Sequence, residues 1–252
     1  MMTLKLVNLD AAQVEALNDE EIAKINAELD RQILSIENPD GAAVVADLFD
    51  YLGKFVCYPN EHAHVAHALW CVHAHLMDSW DTTPRLAFLS AEPASGKTRA
   101  LEITEHVVPN PVLTVNVSPA YLFRKVGTDI GATILFDEID TVFGPKAKEN
   151  EEIRGLLNAG YRRGATTGRC VMVGKTAETE EIPAYAAVAL AGLGWLPDTI
   201  LSRSIIIRMK RRKPGQKVEA YRRRIHAGRG VSIRDRLTRW AQNTRIEWPD
   251  LP

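Results

Sequence analysis

Nowhere in this chain of 252 residues do apolar residues run for the eighteen or so positions that a membrane-spanning helix needs. The N-terminus carries no apolar signal-peptide core either, so a cytoplasmic location is expected. Cysteine is scarce: Cys57, Cys71 and Cys170 are odd in number and stand at no zinc-finger or redox spacing, which predicts reduced thiols in packed positions. Aromatics make up only 7% of the chain, and few accompany Arg162, Arg163, Arg169 and Lys175, so stacking on nucleobases is not indicated there. Internal repeats and low-complexity tracts are absent, which excludes solenoids and composition-driven disorder. Net charge is nearly absent too, at −1.

That average conceals a polarity. Asp10, Glu15, Asp19, Glu20, Glu21, Glu28, Asp30, Glu37, Asp40, Asp47 and Asp50 crowd the first sixty residues. Between Arg203 and Arg239 the runs Lys210–Lys213 and Arg222–Arg224, with Arg229, Arg234 and Arg236, face only Glu219 and Asp235. Such a split fits nucleic-acid contact at the basic end, head-to-tail packing of subunits, or two solvated helix faces.

What is present is a core-forming composition, 46% hydrophobic, and a change of texture near residue 80. Before it, helical periodicity predicts helices over Ala11–Ile33, Ala42–Phe55 and His62–Trp80. In the third, Val65, Leu69, Val72 and Leu76 are the expected inward face. His64, His67, Cys71 and His75 share its other side, where a tetrahedral metal site is geometrically poor along one straight helix. After residue 80, short β-branched runs alternate with helical stretches. Strands are expected at Arg85–Ser90, Val112–Val117, Thr133–Phe136, Cys170–Val173, Ala187–Ala191 and Ile205–Met209. Helices are expected at Lys97–His106, Pro119–Val126, Glu149–Tyr161 and Thr199–Arg203. This alternation is that of an α/β fold, a parallel sheet covered by helices on both faces. The expected organisation is a helical region over 1–80, an α/β core over 81–212 and a basic helical segment over 213–252.

Chemistry concentrates in two places. Ala91-Glu92-Pro93-Ala94-Ser95-Gly96-Lys97-Thr98 matches the nucleotide-binding pattern Gly-x-x-x-x-Gly-Lys-[Ser/Thr] except at its first glycine. Such a loop works because backbone N–H groups converge on phosphate oxygens at a helix N-terminus, the lysine reaches the outer phosphates, and the hydroxyl binds Mg²⁺. Alanine can fill the opening turn if its φ is negative. Glu92 through Arg99 are therefore the candidate nucleotide contacts. Downstream, Thr133–Phe136 ends in Asp137 and Glu138, where Asp137 suits the metal side together with Thr98, and Glu138 suits activation of the attacking water. An apolar strand ending in a capped turn would look similar, but the two motifs in one α/β chain agree with each other.

With these, "SPAYLFRKV", "TILFDEIDTVF", "LLNAGYRRG" and "LPDTILSRSIIIRMKRR" resemble the helicase-type P-loop ATPase domain of actinobacterial phages and prophages, related to AAA+ and primase-associated helicase modules. The resemblance runs from about Ala42 to the C-terminus. It implies a P-loop NTPase (AAA+/RecA-like) fold with an additional strand and a catalytic glutamate, ATP and Mg²⁺ as cofactors, and a ring-forming homo-oligomer of the hexameric type. It also implies an arginine lent by a neighbouring subunit, for which Arg203 stands in the matching position and Arg162 and Arg163 are second candidates. Two departures stand out. "ALAGLGWLP" puts no polar sensor at the tip of the fourth core strand, and the helical lid is short or missing, with Arg234 or Arg236 as candidate lid arginines. Arg169–Gly192 is expected to form an inserted β-hairpin, and Arg162, Arg163, Arg169 and Lys175 give it positive charge for DNA. The expected activity is ATP hydrolysis coupled to DNA, as a helicase-like motor or loader in phage-type replication. The alternatives are a nucleotide-switched regulatory module and a protein-remodelling ATPase.

Overall fold

The structure, a computed structural model, describes residues 38–114, 119–128, 131–143, 151–173, 176–194 and 196–246. The helix expected over Ala11–Ile33 lies outside them, as do the end of the Val112–Val117 strand and the start of the Glu149–Tyr161 helix.

Two helices come first, α1 (Gly41–Phe55) and α2 (Glu61–His75). Each starts where an acceptor side chain meets a first-turn amide. Asp40 accepts from Ala42 N at 3.0 Å and Asn60 from Ala63 N at 2.9 Å, caps that each contribute ~1 kcal/mol. Alternation then begins: β1 (Arg85–Ser90), α3 (Lys97–Glu105), β2 (Pro111–Thr114), α4 (Pro119–Thr128), β3 (Thr133–Phe136), α5 (Asp140–Phe143) and α6 (Glu151–Ala159). Next come a hairpin, β4 (Thr166–Val173) and β5 (Thr176–Pro183), then β6 (Ala187–Leu193), α7 (Asp198–Leu201), β7 (Ser204–Arg208) and the long α8 (Arg223–Asn243).

Five strands form one all-parallel sheet in the order β2-β3-β6-β1-β7, and β4 pairs only with β5. The run Cys170–Val173, expected as a strand of the core alternation, is the second half of β4 in this separate antiparallel ribbon. The expected hairpin is real but begins and ends earlier than Arg169–Gly192, because Ala187 onward pairs with β1 and β3.

Helices cover both faces of the sheet, so its central strands are apolar on both sides and read as continuous hydrophobic runs. The two-residue period divides them. Leu86, Phe88, Leu135, Ala187, Ala189 and Ala191 face a cluster shared with α1, α2, α3 and α8. Ala87, Leu89, Ile134, Phe136, Val188 and Leu190 face a second cluster shared with α4, α5, α6 and α7. The N-terminal helices, the C-terminal helix and the sheet thus contribute to one continuous core. Gly230 of α8 lies so close to Tyr51 and His106 that a Cβ there would meet both side chains at under 3.0 Å.

α2 corrects an expectation. Its inward face carries His67, Ala68, Trp70, Cys71 and Ala74, while Leu69 is 58% exposed and Val65 38%. The histidines turn inward because each finds an acceptor or donor there. His67 bonds Tyr58 Oη at 2.7 Å and Thr104 Oγ1 at 2.8 Å, and His64 reaches Phe49 O at 2.8 Å. His73 meets Thr83 Oγ1 at 2.9 Å, and His75 meets Val107 O at 2.8 Å. They are latches between elements, and no cluster of three metal-binding side chains occurs among the described residues. No helix among those residues is long and apolar enough to cross a membrane.

At the opposite end of β1, Arg85 is 1% exposed and has carbonyls for partners: Nη1 donates to Ala186 O at 2.7 Å and Nη2 to Leu157 O at 2.9 Å. Burial, and then the nearby Arg203 cation, draw its pKa down to about 9.

Candidate functional site

In an open parallel α/β sheet, ligands bind outside the carboxyl ends of the strands. Here that edge gathers the Ala91–Thr98 loop after β1, Asp137 and Glu138 after β3, and the Gly192–Gly194 turn ending β6. One strand, β6, separates β1 from β3, so their axes lie about 10 Å apart at two strand spacings.

The loop is shaped by its backbone. Ser90 Oγ accepts from Glu92 N at 3.0 Å and donates to Glu92 O at 2.9 Å, closing the turn out of β1. Ala91 is not among the residues of positive φ, which is the condition under which alanine can replace glycine there. The left-handed positions are Ala94 (φ 57°) and Gly96 (φ 88°). Gly96 then serves as the N-cap of α3 without any capping side chain, leaving first-turn amides to be met by a ligand or by water. Thr98 is exposed on that first turn.

Lys97 folds back on the loop, with Nζ donating to Ser95 Oγ at 3.1 Å and to Glu92 O at 3.2 Å. Burial draws its pKa below the ordinary lysine value, and the carboxylates of Asp140 and then Asp137 oppose that shift. The lysine loop and the acids after β3 thus belong to the same edge of the sheet. Asp137 Oδ1 accepts from Glu138 N at 3.0 Å, and Asp137 N donates to Thr114 O at 2.9 Å, fixing this acid to the tip of β2. Glu138 is exposed and held at φ 56°, a conformation that costs a non-glycine residue ~1–2 kcal/mol. Strain of this kind concentrates where a side chain must be aimed.

Asp140 was not singled out by the sequence pattern. Its Oδ1 accepts from Leu193 N at 2.9 Å, while Ile139 N donates to Ala191 O at 2.9 Å. Gly192 makes this approach possible, since a Cβ there would stand 2.8 Å from Asp140 Oδ1 and 2.7 Å from Ile139 Cγ2. The tip of β6 has no polar side chain of its own at Gly192 to Gly194, and the acid turn after β3 supplies one. The signal in the sequence was the third acid in "DEID", two residues beyond Glu138.

The remaining candidates are distributed. Arg99 pairs with Glu102 at 2.9 Å and lies 5.0 Å from the Tyr221 ring centre, beside a cavity of about 470 Å³ that also touches Ser95 and Gly96. Arg203 precedes β7 and so sits at the edge of the sheet opposite the Lys97 loop. Its Nη1 donates to Asn158 O at 3.2 Å, and its guanidinium lies 4.1 Å from the Tyr161 ring centre. It cannot serve the site of its own chain. Arg163 donates to Met77 O and Trp80 O at 2.7 and 2.9 Å, a brace rather than a free phosphate contact. Arg162 is exposed, and the side chains of Arg169 and Lys175 lie outside the described ones; in the ribbon's register Arg169 stands opposite Glu180. Arg236 bonds Asp47 at 2.6 Å and Arg234 bonds Asp235 at 3.2 Å, so neither candidate lid arginine faces the loop. Arg236 on Asp47 joins the basic end to the acidic one within the chain, and Arg223, bidentate on Glu105, neutralises another of the basic charges.

Compared with known proteins, the chain matches no family model and no curated protein.

Proposed function

We propose that this chain is a Mg²⁺-dependent ATP-binding and ATP-hydrolysing protein of the helicase-type P-loop class that acts on DNA, as a motor or loader in phage-type replication. One observation carries the reading: the Lys97 loop follows β1 and Asp137 and Asp140 follow β3, so they stand at the same carboxyl edge of the sheet with only β6 between the two strands. The intervening strand β6, the loop with two left-handed residues and the uncapped start of α3 all agree with it.

In this reading the amides of Glu92 to Arg99 cradle the phosphates, and Lys97 leaves Ser95 and the Glu92 carbonyl to bind the outer ones. Thr98 and Asp137 would hold the metal. A site of one hydroxyl and one carboxylate suits Mg²⁺, which keeps most of its water and takes substrate phosphates as ligands. The ion would neutralise charge building on the phosphates. Glu138, exposed and aimed by its strained backbone, orients the attacking water and draws off its proton. Arg203 acts only toward a neighbouring subunit, stabilising charge on that subunit's γ-phosphate within a ring. DNA is met by exposed bases such as Arg212, Lys213, Lys217, Arg222, Arg224 and Arg229.

The test is calorimetric titration of the full chain with MgATP, followed by turnover with and without single-stranded DNA. The Glu138→Gln variant should bind ATP and fail to release it as ADP. No heat with any nucleoside triphosphate would end the reading. Unchanged turnover with DNA, and no gel shift at low salt, would remove its nucleic-acid half.

A further inference from the structure

We propose, resting on the nucleotide reading of the Ala91–Thr98 loop, that Arg211 is a second phosphate-binding residue of that site, held in reserve by the loop itself. The residue lies outside both sequence motifs, 114 positions beyond Lys97 by the numbering of the chain. The fold brings it back. Met209 N donates to Leu89 O at 2.8 Å, which prolongs the pairing of β7 with β1 up to the loop's first residues. The chain then leaves the sheet as Lys210-Arg211-Arg212-Lys213 along the flank of the loop.

Arg211 Nε donates to Pro93 O at 3.0 Å and stands 3.5 Å from Glu92 Oε2. Lys97 leans on the same short stretch through Glu92 O. Two cations thus use the acceptors of residues 92 and 93. Arg211 and Lys210 also form the wall common to two cavities, the one of about 470 Å³ beside Ser95 and Gly96, and another of about 490 Å³ beside Ala91 and Gly194. Among the described residues Glu92 is the only carboxylate lining the second cavity, which Arg208, Lys210, Arg211 and Lys213 also line. That wall is built for an anion.

The contacts holding Arg211 are weak by construction. Its side chain is 59% exposed and that of Glu92 61%, so solvent screens the pair. A guanidinium on a phosphate makes shorter, charge-assisted and often paired hydrogen bonds. When a triphosphate enters the loop, exchange of Pro93 and Glu92 for phosphate oxygens runs downhill. Arg85, by contrast, makes its two carbonyl contacts in full burial.

The experiment measures MgATP affinity on the full chain by calorimetry, with circular dichroism as the check on folding. Arg211→Ala is expected to weaken binding about 10- to 100-fold, the range for hydrogen bonds to charged groups, with Arg211→Lys in between. Glu92→Gln is expected to tighten binding about two- to fivefold, the range for an exposed pair, because it frees the arginine. That gain should vanish in the Arg211→Ala/Glu92→Gln double variant, which separates release of Arg211 from simple loss of a repelling charge. If Arg211→Ala binds within twofold of the parent or more tightly, Arg211 only braces the loop and the proposal is overturned, while ATP binding stands. A Glu92→Gln gain that persists in the double variant overturns it equally. Should Arg211→Ala fail to fold, the comparison of Glu92→Gln alone with Glu92→Gln/Arg211→Lys decides in the same way. A parent chain that binds no nucleotide removes the underlying reading itself.

Discussion

Acid should loosen this protein through α2, and the size of the effect follows from two histidines. His67 is fully buried between Tyr58 and Thr104, and desolvation pushes its pKa down to about 3, with the neighbouring His64 adding to the shift. His75 is pushed down to about 4, again by burial, with the Val107 carbonyl opposing and Arg234 assisting. An unfolded histidine takes its proton near pH 6.5, whereas these take theirs only well below. Between those values the unfolded chain binds more protons, so stability is complete above pH 6.5 and falls as pH drops toward 4. Each group contributes ~1.36 kcal/mol per pH unit over that window, so moving from pH 7.5 to 5.0 costs ~2 kcal/mol per histidine and ~4 kcal/mol for the pair. That is a large share of a typical domain stability of ~5–15 kcal/mol. Half-buried His73, down to about 4 by burial, adds a smaller amount of the same sign. Urea unfolding followed by circular dichroism at the two pH values measures it. His75→Gln, whose amide can still donate to Val107 O, should remove about half of the pH slope. Equal unfolding free energies at pH 7.5 and 5.0, or NMR titration of both imidazoles near pH 6.5, would refute the account.

Three further outcomes are expected. Ala94→Gly relieves a left-handed alanine and should raise unfolding free energy by up to ~1 kcal/mol in urea melts, while leaving the loop's shape intact. Gly192→Ala forces a Cβ against Ile139 and Asp140 and should destabilise by ~1–3 kcal/mol in the same melts, whereas Asp140→Asn, which keeps an acceptor for Leu193 N, should fold nearly normally. Arg203→Ala should bind ATP like the parent yet lose turnover, and mixing it with Lys97→Ala should restore some, since one protomer of the mixed pair keeps each half of a shared site; no recovery on mixing, with assembly shown by light scattering, would sink the trans role.

Much of this was legible because single residues announce it. Leu86 to Leu89 and Thr133 to Phe136 are apolar on both faces, and only a strand covered twice needs that, so the predicted bounds of β1 and β3 agree with the structure. Gly96-Lys97-Thr98 and Asp137-Glu138 were visible as motifs, and the fold brings them to one edge. What escaped detection depends on long-range geometry. Periodicity placed Val65 and Leu69 inward, but on a helix with apolar residues all round, the polar atoms of His67 and His73 decide the inward face by finding partners elsewhere in the chain. Arg211 could not be connected to Pro93 without the β1–β7 pairing, nor Asp140 to Leu193 without β6 beside β3. The φ of Ala94 is set by the loop's closure, which no local preference of alanine foretells.

Arg85 has a consequence for how the chain can vary. Its two acceptors, Leu157 in the last turn of α6 and Ala186 just before β6, bracket the whole excursion that carries the hairpin. One guanidinium therefore ties the neck of a bag. Beyond its buried foot at Ile182 and Ala184, the ribbon can gain residues at little more than the slowly growing entropy of a longer loop. The strand beyond, whose tip meets the acid turn, would keep its place in the ladder. Lengthening the ribbon is thus a change the site will not feel, whereas exchanging this arginine for lysine, a point charge unable to span both carbonyls, is one it will.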